Sequence, residues 1–287
     1  MDVSQIDIET RKIMQASFDR IEQHLNSDVL VYYGTFPERV EYEVKKIIEE
    51  IPVVGQKRST TLYVILTTAG GSLNPVKRIV DILRHHYKEV YFIVPDYAYS
   101  AGTILCASGD GIYMSYFSAL GPIDPQVLTK DNKMVSALGY LDKVQEMLEK
   151  ARLNTLTDAE FIILKDFDLA ELRDYEQAKA LATDLLTTWL PKYKFKNWET
   201  HKNGNKVTHD EKVKRAAEIA EALGNNNRWK SHSRPINIEE LRNLKLQIDD
   251  LEDDETLYKL VTDYHDLMLD YVGKYQIQLF IQTRRIL

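Results

Sequence analysis

Apolar and polar positions run along the first half of the chain in two different periods. VLVYYG (Val29 to Gly34), LYVILTT (Leu62 to Thr68), EVYFIVP (Glu89 to Pro95) and GIYMS (Gly111 to Ser115) are short, dense apolar runs, and they predict strands. Between them the apolar positions recur at helical spacing. PERVEYEVKKIIEEI (Pro37 to Ile51) predicts a helix with proline in its first turn. Asn74 to Tyr87 predicts another, and a further helix is expected to start near Ser100. Strands separated by helices mean βαβ units, a largely parallel sheet and right-handed crossovers. The fold class expected is therefore α/β.

The flanks read differently. Residues 1–27 predict an amphipathic helix, with Met14, Phe18, Ile21 and Leu25 at helical spacing, either packed on the core or held out as a partner-binding arm. Residues 151–287 predict a mostly helical extension to an α/β core over 28–150. TDAE (Thr157 to Glu160) and THDE (Thr208 to Glu211) match the capping box ahead of helical stretches. Asn203 to Asn205 and Gly224 to Asn227 read as loops, and Leu241 to Glu255 as a short apolar piece with an acidic turn. Asp254 to Val272 is a strongly amphipathic helix.

Composition narrows the function classes. A net charge of −7 argues against a broad nucleic-acid footprint. The single cysteine, Cys106, rules out an intramolecular disulfide and suggests a reducing, cytoplasmic setting. No apolar run approaches the ~18 residues of a membrane span, and the N-terminus has no secretory h-region. No HExxH, CxxC or GxxxxGK[ST] pattern calls for a metal or a nucleotide, so no cofactor is expected.

The candidate chemistry lies where two successive strands end. The second strand ends in AGGS (Ala69 to Ser72), and the third leads to AYSAGT (Ala98 to Thr103). Gly70 and Gly71 can turn their amides outward, because glycine tolerates unusual backbone angles. Ser100 opens a helix whose first N–H groups, Ala101's among them, lack intrahelical partners. A GG turn alone is ordinarily a turn, and a serine before a helix is ordinarily a cap. Together, at neighbouring strand ends, they form the frame of acyl transfer: a hydroxyl nucleophile beside oxyanion donors.

The run TTAGGS, then YSAGT, then LGPIDPQ (Leu120 to Gln126) resembles the Clp-peptidase/crotonase superfamily. Within it, the chain is similar to the soluble serine dehydrogenase proteinase family, which is related to signal peptide peptidase A. VLVYYG and the later KSHSRPI (Lys230 to Ile236) share that resemblance. It implies a ClpP/crotonase-like core and a serine peptidase that needs no cofactor. It also implies a peptide or protein substrate and assembly as a homo-oligomer. Ser100 would be the nucleophile, and the Gly71 and Ala101 amides would form the oxyanion hole. The base is left open. Where Clp peptidases carry histidine in an Ile-His-Gln-Pro context, this chain has Asp124, and no histidine lies between His86 and His201. Relatives of signal peptide peptidase A use a lysine, which here would be Lys143 or Lys133. The other choice is His232 in KSHSRPI, with Asp124 fixing its ring or, instead, simply capping its own turn. Two other readings stand beside the peptidase: a crotonase-like acyl-CoA enzyme, and a catalytically inactive scaffold.

Overall fold

The computed structural model describes residues 5–51, 58–128 and 134–284. The chain opens with α1 (Gln5–Leu25), β1 (Asp28–Gly34), α2 (Val40–Glu50), β2 (Thr61–Thr67), α3 (Leu73–His86) and β3 (Glu89–Val94). Then come β4 (Tyr97–Ala98), α4 (Ala101–Cys106), β5 (Gly111–Met114), β6 (Ala119–Leu120), β7 (Gln126–Leu128) and β8 (Met134–Ser136). The remainder is α5 (Ala137–Arg152), α6 (Asp158–Lys165), α7 (Leu169–Trp189), α8 (His209–Leu223), α9 (Asn226–Trp229), α10 (Ile238–Asn243), β9 (Asp249–Asp250), α11 (Glu255–Tyr275) and β10 (Leu279–Gln282).

The main sheet has the order β10-β1-β2-β3-β5-β9. All its pairs are parallel except β10 with β1. Strand alternation divides the apolar residues between two layers. Leu30, Tyr32, Val64, Leu66, Phe92 and Val94 face the layer that holds α2, α3 and α4. Val29, Val31, Ile65 and Ile93 face α1 and α11. The expected N-terminal helix thus packs on the core through Met14, Phe18 and Ile21, all fully buried. Phe18 meets Tyr264 of α11 edge-on at 6.3 Å. Each such buried side chain contributes about 1.5–3 kcal/mol by leaving water.

Several boundaries differ from expectation for local reasons. α2 begins at Val40 and not at Pro37, because Arg39 sits at φ 75, in the left-handed region, and breaks the first turn. The run read as a loop at Gly224 to Asn227 contains the start of α9, capped by the Asn225 side chain on the Arg228 amide at 2.8 Å. The extension is mostly helical, yet it returns two strands, β9 and β10, to the two edges of the sheet. Both expected capping boxes are present, at Thr157 with Glu160 and at Thr208 with Glu211. α7, the π-helical turn Leu190–Lys194 and α8 close over the first layer through Leu185, Leu186, Trp189, Ile219 and Leu223. Among the described residues no helix is long and apolar enough to cross a membrane.

Candidate active site

The carboxyl ends of β1, β2 and β3 are laced together beyond the sheet. Thr68 forms a parallel bridge with Ala98, and Phe36 forms one with Gly71. The Thr68 amide donates to Tyr97 O at 3.0 Å, and the Tyr99 amide donates back to Thr68 O at 2.9 Å. The Phe36 amide donates to Gly70 O at 2.8 Å, and the Ser72 amide to Phe36 O at 3.0 Å. In a parallel bridge, these bonds leave the Gly71 amide pointing away from Phe36. AGGS and YSAGT are thereby held side by side.

The glycines are needed here. Gly70 has φ +100 and Gly71 φ +143. A Cβ on Gly71 would lie 2.6 Å from Phe36 O, and one on Gly70 would lie 2.9 Å from Ser100 Cβ. Ser100 itself has φ 53 and ψ −115, a backbone conformation that non-glycine residues seldom hold. It does not use its hydroxyl to cap α4. The ordinary reading of a serine at that position, a helix cap, does not apply.

The segment after β5 is pinned to the same helix. The Thr103 hydroxyl lies 2.9 Å from both Ala98 O and Gly121 O and accepts the Gly121 amide at 3.0 Å. This fixes the start of GPIDPQ beside α4. Asp124, 1% exposed, lies within that segment. Its two oxygens are both used: Oδ1 pairs with His232 Nδ1 at 2.8 Å, and Oδ2 accepts from Gln126 Nε2 at 3.3 Å.

His232 reaches this point on a strap fastened at both ends. Before it, Trp229 is 3% exposed and donates Nε1–H to Ala222 O at 2.7 Å. Arg228 and Arg234 lie over its ring at 4.8 and 5.6 Å. After it, Ile236 bridges Leu120 with backbone bonds of 3.1 and 2.8 Å.

Ser100, Gly71 and His232 line one cavity of about 540 Å³, with Leu73, Ile104, Ile123 and Leu181 among its other walls. Gly70 and Ala101, expected with Gly71 to line the cleft before Ser100, do not line it: Gly70 backs onto Ser100, and Ala101 is 1% exposed. Lys143 lies away from the cavity, exposed on α5, where it donates to Glu146 at 2.8 Å. Lys133 lies outside the described residues. Four of the other six histidines are engaged elsewhere. His24 pairs with Asp254 and His201 with Glu211. His86 contacts Arg58, and His265 is buried against Thr67. Sequence reasoning missed Gln126 as a second partner of Asp124, although it lies in the IDPQ motif. It also missed α7, which sends Ala178 and Leu181 to the cavity wall.

Two uncharacterized proteins of Methanocaldococcus jannaschii, MJ0137 and MJ1495, are 40% and 33% identical to this chain over 63 residues, 22% of this chain and of each of theirs. The chain therefore spans about a fifth of the length of the curated relatives it matches. Among solved structures, a mutant of the 1510-N membrane-bound stomatin-specific protease aligns with 81% of this chain and 82% of its own, at 13% identity and TM-score 0.46. A second mutant of that protease, in complex with a substrate peptide, aligns with 43% of this chain and 59% of its own, at 18% identity and TM-score 0.32. The profile of the ClpP-like SDH-type serine proteinases matches residues 43–214, well over half of the chain, and the chain belongs to that family.

Proposed function

We propose that the protein is a serine peptidase that cleaves peptide bonds through an acyl-enzyme on Ser100. The observation that carries this reading is the shared cavity: the uncapped Ser100 and a histidine already fixed by a carboxylate both open onto it. With Nδ1 donating to Asp124, the neutral ring presents Nε2 as an acceptor. His232 Nε2 takes the Ser100 proton as Oγ attacks the substrate carbonyl. The amides of Gly71 and Ala101 hold the resulting oxyanion. The imidazolium, stabilised by Asp124, then gives its proton to the leaving amine. Water, deprotonated by the same nitrogen, releases the acyl group and restores the serine. Asp124 orients and stabilises; it does not itself remove the proton.

Lys143 has less support as the base, since it is exposed and paired with Glu146. The acyl-CoA reading is also weaker, because among the described residues no lysine or arginine lines the cavity to meet a nucleotide's phosphates. Assembly as a homo-oligomer and residence in the cytoplasm complete the proposal. They rest on the family resemblance and on the single, buried cysteine. The test is hydrolysis of a quenched peptide library by the wild type, Ser100→Ala, His232→Gln and Lys143→Ala. Cleavage by the wild type and Lys143→Ala alone is expected. Undiminished cleavage by Ser100→Ala overturns the reading.

A further inference from the structure

One residue on the wall of the Ser100 cavity also touches the carboxylate behind His232. Gln126 lines the cavity, and its Nε2 donates to Asp124 Oδ2 at 3.3 Å. The amide must present its nitrogen there, because its carbonyl oxygen has no proton to give a carboxylate and would be repelled by it. Asp124 is 1% exposed, so Oδ2 has little access to water in place of Gln126. The other oxygen, Oδ1, is taken by His232 Nδ1 at 2.8 Å. Gln126 therefore holds one arm of the carboxylate, and His232 holds the other.

The backbone of Gln126 is fixed from the helical extension. Gln126 opens β7 and lies opposite Ser136 in the antiparallel pair with β8. The Ala137 amide donates to Pro125 O at 2.9 Å, and the Ser136 side chain caps α5 by accepting the Gly139 amide at 3.3 Å. The start of α5 thus sets where Gln126 stands. Other charges lie outside this arrangement. On the strap, Arg228, Lys230 and Arg234 are exposed, and Arg234 pairs with Glu240. Asp142, Lys179 and Glu221 line a second cavity of about 230 Å³, which shares only Ile123 and Pro125 with the first. Among the described residues, His232 is the single ionisable side chain lining the Ser100 cavity.

We infer that Gln126 is a positioning residue: its bond to Asp124 Oδ2 fixes the carboxylate that orients His232 and moderates the pull of that carboxylate on the imidazolium. This inference rests on the serine-peptidase reading, and Gln126 acts only through Asp124. A carboxylate oxygen that accepts an N–H shares its charge with the donor, so it holds the imidazolium proton less tightly. Without the donor, Oδ2 would draw the imidazolium more strongly, and a higher pH would be needed to free the base. The carboxylate would also be free to turn, and the ring with it. A substrate filling the cavity excludes water from the Gln126 wall, and a hydrogen bond to a charged group strengthens as its surroundings dry. The bond is thus tightest while the base is in use.

The experiment follows kcat and KM against pH for the wild type, Gln126→Met and Gln126→Asn, on a peptide that the wild type cleaves. Labelling of Ser100 by a fluorophosphonate is read separately on each protein. Methionine keeps the volume and removes the donor, and asparagine keeps the amide but falls one methylene short of Asp124. Gln126 is only partly buried, so both variants should fold, and their Tm values record it. Both should lower kcat by roughly 10-fold, the scale of one hydrogen bond to a charged group, with KM within ~2-fold of the wild type. Both should also move the acid limb of kcat/KM up by roughly 0.5–1 pH unit. A residue that merely braced the β7–β8 pair would lower Tm and leave the acid limb in place. An unmoved acid limb in the variants, or a loss carried by KM alone, overturns the positioning assignment and leaves the peptidase reading standing. Absence of both labelling and hydrolysis in the wild type overturns the peptidase reading, and this inference with it.

Discussion

Asp124 Oδ1 and His232 Nδ1 lie 2.8 Å apart although 108 positions separate the two residues in the chain. The carboxylate comes from the segment pinned to α4, and the ring comes from the strap between α9 and α10. Replacing either should leave the fold in place and damage catalysis. His232→Gln removes the proposed base and should lower kcat by roughly 10²–10⁴-fold. Asp124→Asn, which disturbs the ring's tautomer, should lower it by up to about 10⁴-fold. Lys143→Ala should change it by less than ~2-fold, since exposed charges contribute little. Steady-state kinetics with far-UV circular dichroism on each variant checks this. A large loss in Lys143→Ala with His232→Gln active would reassign the base.

Gly71 couples the fold to the site. Its φ is +143, and a Cβ added to it would lie 2.6 Å from Phe36 O, which leaves no room for a side chain. Gly71→Val should therefore displace the amide and reduce turnover by about 10²–10³-fold, the effect of losing one oxyanion donor. Stability should fall as well, through backbone strain. Calorimetry and kinetics together check the coupled loss. Normal turnover in Gly71→Val would place the oxyanion hole elsewhere.

Trp229 holds the strap that carries His232. Removing a buried tryptophan costs about 3–5 kcal/mol in general. Trp229→Phe keeps most of the apolar volume but loses the bond to Ala222 O and part of the stack with Arg228 and Arg234. The expected result is a modest fall in Tm with a disproportionate fall in kcat and little change in KM. If kcat in Trp229→Phe holds at the wild-type value, the strap is not what positions the ring.

Much of this arrangement is legible in the sequence because it is local. The dense apolar runs and the helical runs mark β1 to β3 and the helices between them, and AGGS and YSAGT mark the strand ends. The IDPQ and KSHSRPI segments can be recognised, but nothing local says that their side chains meet. The strand β10 eluded the pattern because LFIQ is only four residues long and pairs with β1 from the far end of the chain. β9 is two aspartates, residues that strands ordinarily avoid, and it takes extended form by pairing with Tyr113 and Met114. α7 shows its helical character plainly, yet which of its faces meets the Ser100 cavity is decided by packing against α5 and α8, which is not written in its own period. The α6 residues Phe161, Ile162 and Ile163 are over half exposed, against the expectation that an apolar run is buried.

His265 predicts a pH dependence of stability. Its ring is buried, with Nε2 3.0 Å from Thr67 Oγ1, and burial pushes its pKa down to about 4. In the unfolded chain it titrates near ~6.5. Between those values the unfolded state holds the extra proton, so stability falls as pH falls. The contribution is complete above pH ~6.5 and is lost progressively toward pH ~4, by up to roughly 3 kcal/mol. His265→Gln should flatten the acid limb of a urea-midpoint profile across that window. Superimposable slopes in wild type and variant would contradict it.

The most direct measurement is reaction with a fluorophosphonate followed by peptide mass spectrometry. The reagent needs an activated serine beside oxyanion donors, and it does not depend on knowing the substrate. The account predicts one adduct per chain on the peptide containing Ser100, none in Ser100→Ala, and a rate at least ~100-fold slower in His232→Gln, the scale of losing a general base. No adduct on the wild type, or an adduct on another serine that persists in Ser100→Ala, would contradict it.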